Sequence, residues 1–528
     1  VKQALLRFTL NGMAGFFVAC LWSTVVLAGG SFSFPLFYES SSLDPVKDQL
    51  VSTYHVVGQV YDGLVAFDSN LGIMPGLAET WKVSRDGRQY DFTLRQGVRF
   101  HNGKEVTAQD AAASLSRLMR PENETSSKEF LYRIRGAVEF RDGQAEDVSG
   151  IRVLSDRRLI IELIEPYAPF LSVLAMPVAK IVPLEMIEDP DQPLTRHPVG
   201  TGPFRFVSWE GDTILLKGNR DYFRGGPRLE EIRFIYYTGE KRNRVFQDFL
   251  AGRLSGCPLP ENADLAELKK QNYQIFIRPQ LAFMFYGMNV AAPPLDDPHL
   301  RKALSYAFDR KRYTQEVLDS RHFPANQIIP PGMPGYCPEN AMAVFDQEKA
   351  VWHLDQSRYP GGQGLPELVL ASVSHSEAAK GELEMFRQNL AAIGITLKPL
   401  FVENWDEFKR GLEEGRYPLY RYAIYADVPD PDDLISDIVK TGGSHNFTGY
   451  SNPQVDEWIR EGLSETNLKK RMGIYHEVER QVLEDQPLIP VIFISTQVVF
   501  QPDVKNIDLP ATGTPYLPFS LMAVGDSP

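Results

Sequence analysis

The pattern of apolar and polar positions changes period along the chain. In WKVSRDGRQYDFTL, Tyr90, Phe92 and Leu94 alternate with Asp91 and Thr93, and Asp86-Gly87 precedes them as a turn pair. A period of two around a turn predicts a half-buried hairpin. PFRFVSWEGDTILL repeats it, with Phe204 and Phe206 flanking Arg205, then Gly211-Asp212, then Ile214 and Leu216. From residue 299 the period lengthens. Leu300, Ala303, Leu304, Ala307 and Phe308 fall on one face of a helix. Asn452-Pro453 reads as a helix cap and first turn, with Val455, Trp458 and Ile459 turned inward. Leu468, Met472, Tyr475, Val478 and Val482 predict the buried face of another helix. One strand-like run stands apart. Residues 419–434 read LYRYAIYADVPDPDDL: an aromatic run with Arg421 inside it, ending in Asp427 before a turn-rich segment.

The 528 residues exceed one core, and the size prior is about three domains. A composition of 43% hydrophobic and 23% charged residues excludes wholesale disorder. No internal repeat or low-complexity tract occurs. Lys2 and Arg7, then the apolar run Met13 to Ala28, then small residues, predict a secretory signal over 1–28, cut near Val26-Leu27-Ala28. A rival is lipidation at Cys20, although Phe17 replaces the usual leucine of a lipobox and apolar residues continue beyond it. Loss of Lys2 and Arg7 leaves 53 of the 55 cations against 68 acids, so the charge falls from −13 to −15. So acidic a chain repels polyanions, which argues against nucleic acid as a partner. Export makes a disulfide between Cys257 and Cys337 chemically possible; eighty positions separate them, and the expectation leans to unpaired thiols.

Motifs that carry chemistry are missing. There is no G-x-S-x-G, no H-E-x-x-H and no phosphate-cradling G-x-x-x-x-G-K-[ST]. The nine histidines are scattered, and none lies three or four residues from another. The sequence therefore offers no support for an enzyme, a metal site or a cofactor.

Ten phrases in order carry a resemblance. They are SLDP (42–45), YDGLV (61–65), PGLAETW (75–81), SRDGRQYDFTLRQGVRFHNGKEVTAQD (84–110), PVGTGPF (198–204), NRDYFRGGPRLEEIRF (219–234), RKALSYAFDR (301–310), ADVPDPDDL (426–434), NFTGYSNPQVDEWI (446–459) and YHEVERQVLEDQPLIPV (475–491). Together they resemble the family 5 extracellular solute-binding proteins, the dipeptide and oligopeptide receptors of ABC importers. The resemblance implies an α/β fold of two lobes on a hinge (type II, cluster C-like), with an extra domain in the larger lobe. Domain I would comprise 31–62, 193–289 and 495–528, domain II 63–192, and domain III 290–494. It implies a periplasmic monomer that binds a peptide or similar zwitterion between the lobes and delivers it to a membrane permease. Relatives on this fold also carry nickel complexes, haem, opines or sugars, and a sensing role is an alternative.

In peptide-binding relatives the acid at the place of Asp427 holds the ligand ammonium, and a carboxylate is its natural acceptor. Arg421 stands where some relatives offer an arginine to the ligand carboxylate. Positions six apart in a strand lie about 20 Å from one another, a span for a longer or folded-over ligand. Between these poles, backbone groups of Ala423 and Tyr425 suit strand addition to an extended peptide. The expected ligand-facing set is therefore Asp427, Arg421, Tyr425, Ala423, Ile424 and Tyr422. Ile424 replaces a tryptophan common in relatives, which removes a stacking surface.

Overall fold

The alternation at 89–94 becomes the strand Gln89–Leu94, paired antiparallel with Ala78–Val83. Tyr90, Phe92 and Leu94 are buried, while Asp91 and Thr93 are half-buried. Arg158–Glu162 and Ile151–Ser155 complete a four-stranded antiparallel sheet. Its apolar face packs on the helix Ala108–Ser116, which starts at a reciprocal cap between Thr107 and Asp110. The structure is a computed structural model that describes residues 30–48, 50–123, 128–188, 194–341 and 344–525. The expected signal segment 1–28, including Cys20, lies outside them.

A second sheet has Ser31–Leu36 parallel to Glu231–Tyr236, which pairs antiparallel with Thr213–Gly218 and then Phe204–Glu210. Phe204, Ile214 and Leu216 are fully buried. Phe206, opposite Leu216, is half-buried and packs against the same core, and the register shifts only beyond it, before Ser208. A bulge of this kind breaks the period of two that the sequence suggests.

The third sheet has seven strands. Its order is Gly256–Pro258, Leu488–Phe500, Gln274–Met288, Leu419–Tyr425, Leu368–Ser372, Leu397–Phe401, with Phe323–Pro324 against Leu488–Phe500. Two of these strands are long and pass from one core to another. Phe276, Val498 and Phe500 pack with the second sheet, while Phe283, Phe285, Leu488 and Phe493 pack in the body of the third. Their pairing breaks between Pro279 and Phe283. The chain is thus a two-lobed α/β protein joined through paired strands.

Helices cover both faces of the third sheet. Asp297 caps Pro298–Tyr306, whose Leu300, Ala303 and Leu304 are fully buried; Ala307 and Phe308 continue the apolar face just past its end. Asn452 accepts from the backbone of Gln454 and Val455 and opens Pro453–Ser464. In Leu468–Asp485, Tyr475, Val478 and Val482 are buried as expected, but Leu468 is 64% exposed. It is the first residue of that helix and lies beyond the surface the helix covers. Both Cys257, buried in a strand, and Cys337, half-buried, are free thiols. Burial pushes the Cys257 thiol up to about 12.

Candidate ligand-binding cleft

The strand Leu419–Tyr425 sends its side chains to two faces. Tyr420, Tyr422 and Ile424 enter the core with Phe283 and Phe285. Tyr422 packs against Trp405, with ring centroids 5.7 Å apart, and against Phe447 at 5.9 Å. The side chains of Tyr422 and Ile424 therefore serve the core, and the expectation that they face a ligand is corrected here. On the opposite face, Ala423 packs against a separate apolar cluster.

Arg421 also differs from expectation. Its Nε donates to Glu382 Oε1 at 3.0 Å and its Nη2 to Oε2 at 3.1 Å. The Tyr286 hydroxyl donates to Oε1 at 2.7 Å and the Tyr313 hydroxyl to Oε2 at 2.6 Å. Glu382 is fully buried. The fork that a ligand carboxylate would meet is closed on an internal acid, because a carboxylate sealed in a core needs a cation and several donors.

The backbone of the same strand is available. Ala426 N–H donates to Leu281 O at 2.8 Å. Pairing with Gln274–Met288 runs in unbroken register from Ala282–Tyr425 to Met288–Leu419. In an antiparallel ladder, hydrogen-bonded pairs alternate. Even-numbered residues therefore bond to that neighbour, and Ala423 and Tyr425 turn their N–H and C=O to the other edge. On that edge Leu368–Ser372 pairs only as far as Tyr420. Ala423 and Tyr425 thus present an unpaired strand edge.

The strand stops where Val428-Pro429-Asp430-Pro431 begins, since proline offers no N–H to a ladder. Asp430 caps the helix Pro431–Val439 and receives both arms of Arg471, at 2.6 and 2.7 Å. Asp433 Oδ2 accepts the backbone N–H of Asp427 and Val428. This turn fixes Asp427 at the mouth of a cavity of about 450 Å³. Tyr425 and Asp427 line it together with Tyr54, Met176, Gln280, Thr496, Thr512 and Tyr516. Tyr425 is 54% exposed.

The Asp427 carboxylate has no hydrogen bond or ion pair among the described residues. Burial raises its pKa and the nearby Asp437 adds to this, while His445 acts in the opposite direction. The hydroxyls of Tyr54 and Tyr516 are also pushed up, first by burial, with the charge of Asp427 contributing. The Thr512 hydroxyl has no hydrogen-bond partner. The cavity thus offers an uncompensated acid, an open backbone edge and an unsatisfied hydroxyl. Such a site can accept an ammonium group and an extended polar chain.

The family model described as bacterial extracellular solute-binding proteins, family 5 Middle, matches residues 72–446. The chain belongs to this family. It is 27% identical over 486 residues to the oligopeptide-binding protein OppA of Bacillus subtilis, across 87% of each chain. The periplasmic murein tripeptide-binding protein MppA, in its unliganded open form, has the same fold, with a TM-score of 0.83 at 23% identity over 94% of this chain and 98% of that one. The periplasmic protein DppA of Helicobacter pylori, in complex with the peptide STSA, aligns with a TM-score of 0.69 at 23% identity over 94% of this chain and 98% of that one.

Of the residues expected from sequence, the structure brings Asp427 and Tyr425 into the cavity. Ala423 reaches the same edge through its backbone. Sequence reading missed Tyr54, Gln280, Thr496, Thr512 and Tyr516. Tyr54 sits in the helix Val51–Val60, and the threonines read as turn or strand residues. Their only signal is the meeting of distant segments, which no local period carries.

Proposed function

We propose that this solute-binding protein is the peptide receptor of an ABC importer. The peptide lies extended in the cleft, its α-ammonium on Asp427 and its backbone along Ala423 and Tyr425. The observation that carries this reading is an unpaired strand edge ending in an unpaired carboxylate inside one cavity. Backbone pairing reads length and free ends and leaves side-chain identity open. The names of OppA, MppA and DppA point to the same class of cargo. Arg421 acts in this reading through Glu382, as a support of the strand. The three sheets and their separate cores favour the division into domains I, II and III given above.

The activity is binding and hand-over. Ligand stabilises the closed arrangement of the lobes, and a membrane permease reads that arrangement. The chain works as a monomer in the periplasm. Calorimetry with short peptides tests the reading. A free-amino peptide binds and its N-acetylated form does not; equal affinity for both would refute the ammonium site.

A further inference from the structure

We propose that the cleft reads the side chain of the ligand's first residue: an apolar side chain is preferred there and an acidic one is refused. The proposal rests on the peptide reading above and narrows its cargo. In an amino acid the α-ammonium nitrogen and Cβ are bonded to one Cα, which leaves them about 2.5 Å apart. A peptide whose ammonium meets Asp427 therefore starts its first side chain beside that carboxylate, in the same cavity of about 450 Å³, whatever course the remaining chain takes.

The lining supplies the preference. Val51, Met176, Leu281 and Pro515 contribute to it, and the rings of Tyr54 and Tyr516 add further apolar surface. Val51, the first residue of the helix Val51–Val60, is 55% exposed. An apolar ligand side chain that covers this surface is stabilised by the removal of both from water.

The charges supply the refusal. Among the described residues that line the cavity, Asp427 is the one charged group. A second acid stands close: after burial, the charges of Asp427 and Asp48 push the Tyr54 hydroxyl up. Asp48 is buried, accepts the backbone N–H of Ser41 and of Leu50, and makes no ion pair among the described residues. The neighbouring cations are taken. Arg421 is closed on Glu382, and His445 bonds Asp437 through Nδ1. Arg278 lines a different, neighbouring cavity. The ligand ammonium balances Asp427 and leaves Asp48 over. A second carboxylate brought in by the ligand meets no cation, and like charges side by side in a poorly solvated site repel.

Calorimetry on the full chain with three tripeptides tests this: leucyl-, glutaminyl- and glutamyl-alanyl-alanine. The last two share a shape and differ in charge. The leucyl peptide is expected to bind tightest, and the glutamyl peptide about tenfold or more weaker than the glutaminyl one, as a like-charge contact requires. Val51→Lys places a cation in the exposed lining and is expected to narrow that gap. Three results each overturn the assignment: equal binding of the glutamyl and glutaminyl peptides, a leucyl peptide weaker than the glutaminyl one, or a gap unchanged in Val51→Lys. Each leaves the peptide reading standing when N-acetylation of the leucyl peptide abolishes its binding. A natural chain that binds none of the three, or binds the acetylated form as well as the free one, overturns both.

Discussion

One oxygen of Asp433 accepts the backbone N–H of Asp427 at 2.6 Å and that of Val428 at 3.0 Å. The acid that positions this cavity-lining carboxylate is itself a carboxyl in a poorly solvated turn. Burial pushes Asp433 up to about 7, and the charge of Asp427 adds to this against the two N–H bonds. The folded chain therefore holds a proton that the unfolded chain releases near pH ~4. Stability from this group is complete below that range and falls as pH rises through about 7. Asp433→Asn keeps an acceptor oxygen and removes the charge. It is expected to flatten this slope and to gain on the order of 2 kcal/mol over the natural chain at about pH 8 relative to about pH 5. Urea midpoints at the two pH values measure it; identical shifts in both proteins would contradict the assignment.

The Glu382 cluster predicts strong non-additivity. Glu382 holds Arg421, Tyr286 and Tyr313 in a sealed core. Removing one charge strands the other, at a cost of about 3–5 kcal/mol. Glu382→Gln and Arg421→Met are each expected to destabilise by that order. The double variant costs clearly less than the sum, because no lone charge remains. Chemical denaturation of the four proteins gives the coupling, and simple additivity would show that the pair does not act as a unit.

Leu71 ties two units together. It sits at the tip of the hairpin Val65–Phe67 and Ile73–Pro75, with φ of +63°. Although Val65 packs with the first sheet, Leu71 is 5% exposed and packs in the core of the third, with Leu281 and Met333. Leu71→Ala loses this contact, at about 2–5 kcal/mol. Glycine elsewhere costs roughly 0.5–1 kcal/mol more than alanine, but it relieves a positive φ. Leu71→Gly is therefore expected to be no less stable than Leu71→Ala. Thermal denaturation compares them, and faster hydrogen exchange across residues 65–75 in both variants reports the loosened tip.

Local pattern made much of the architecture legible. Tyr90, Phe92 and Leu94, the Asn452 cap and the Leu300 face all take the places their periods imply. Pattern misplaces Leu468, because an end residue can continue a stripe without contact. At the cleft, the acid at the end of an aromatic strand is legible, since Asp427 does enter the cavity. The fate of Arg421 is not. Its partner Glu382 lies 39 residues away on the helix Glu377–Ala391, and only tertiary packing decides which acid a guanidinium meets. The same holds for Tyr54 and Tyr516, which lie at opposite ends of the chain and meet in one cavity.

With the ligand ammonium on Asp427 as proposed, the affinity for a free-amino peptide is expected to depend on pH in a defined direction. Burial, then Asp437, holds its pKa above the ordinary aspartate value. The empty cleft therefore takes up a proton earlier on acidification than an exposed aspartate does. Ligand ammonium needs the carboxylate, so binding competes with that proton. Affinity is expected to be constant near neutral pH and to fall on acidification, starting at a higher pH than an exposed aspartate would set, with proton release on binding at the lower pH. Asp427→Ala removes the dependence and weakens binding by about 2–5 kcal/mol, the cost of leaving one member of a desolvated charge pair alone. Calorimetry in two buffers of different ionisation enthalpy measures both affinity and proton count. An unchanged affinity in Asp427→Ala would show that the ammonium lies elsewhere in the cleft.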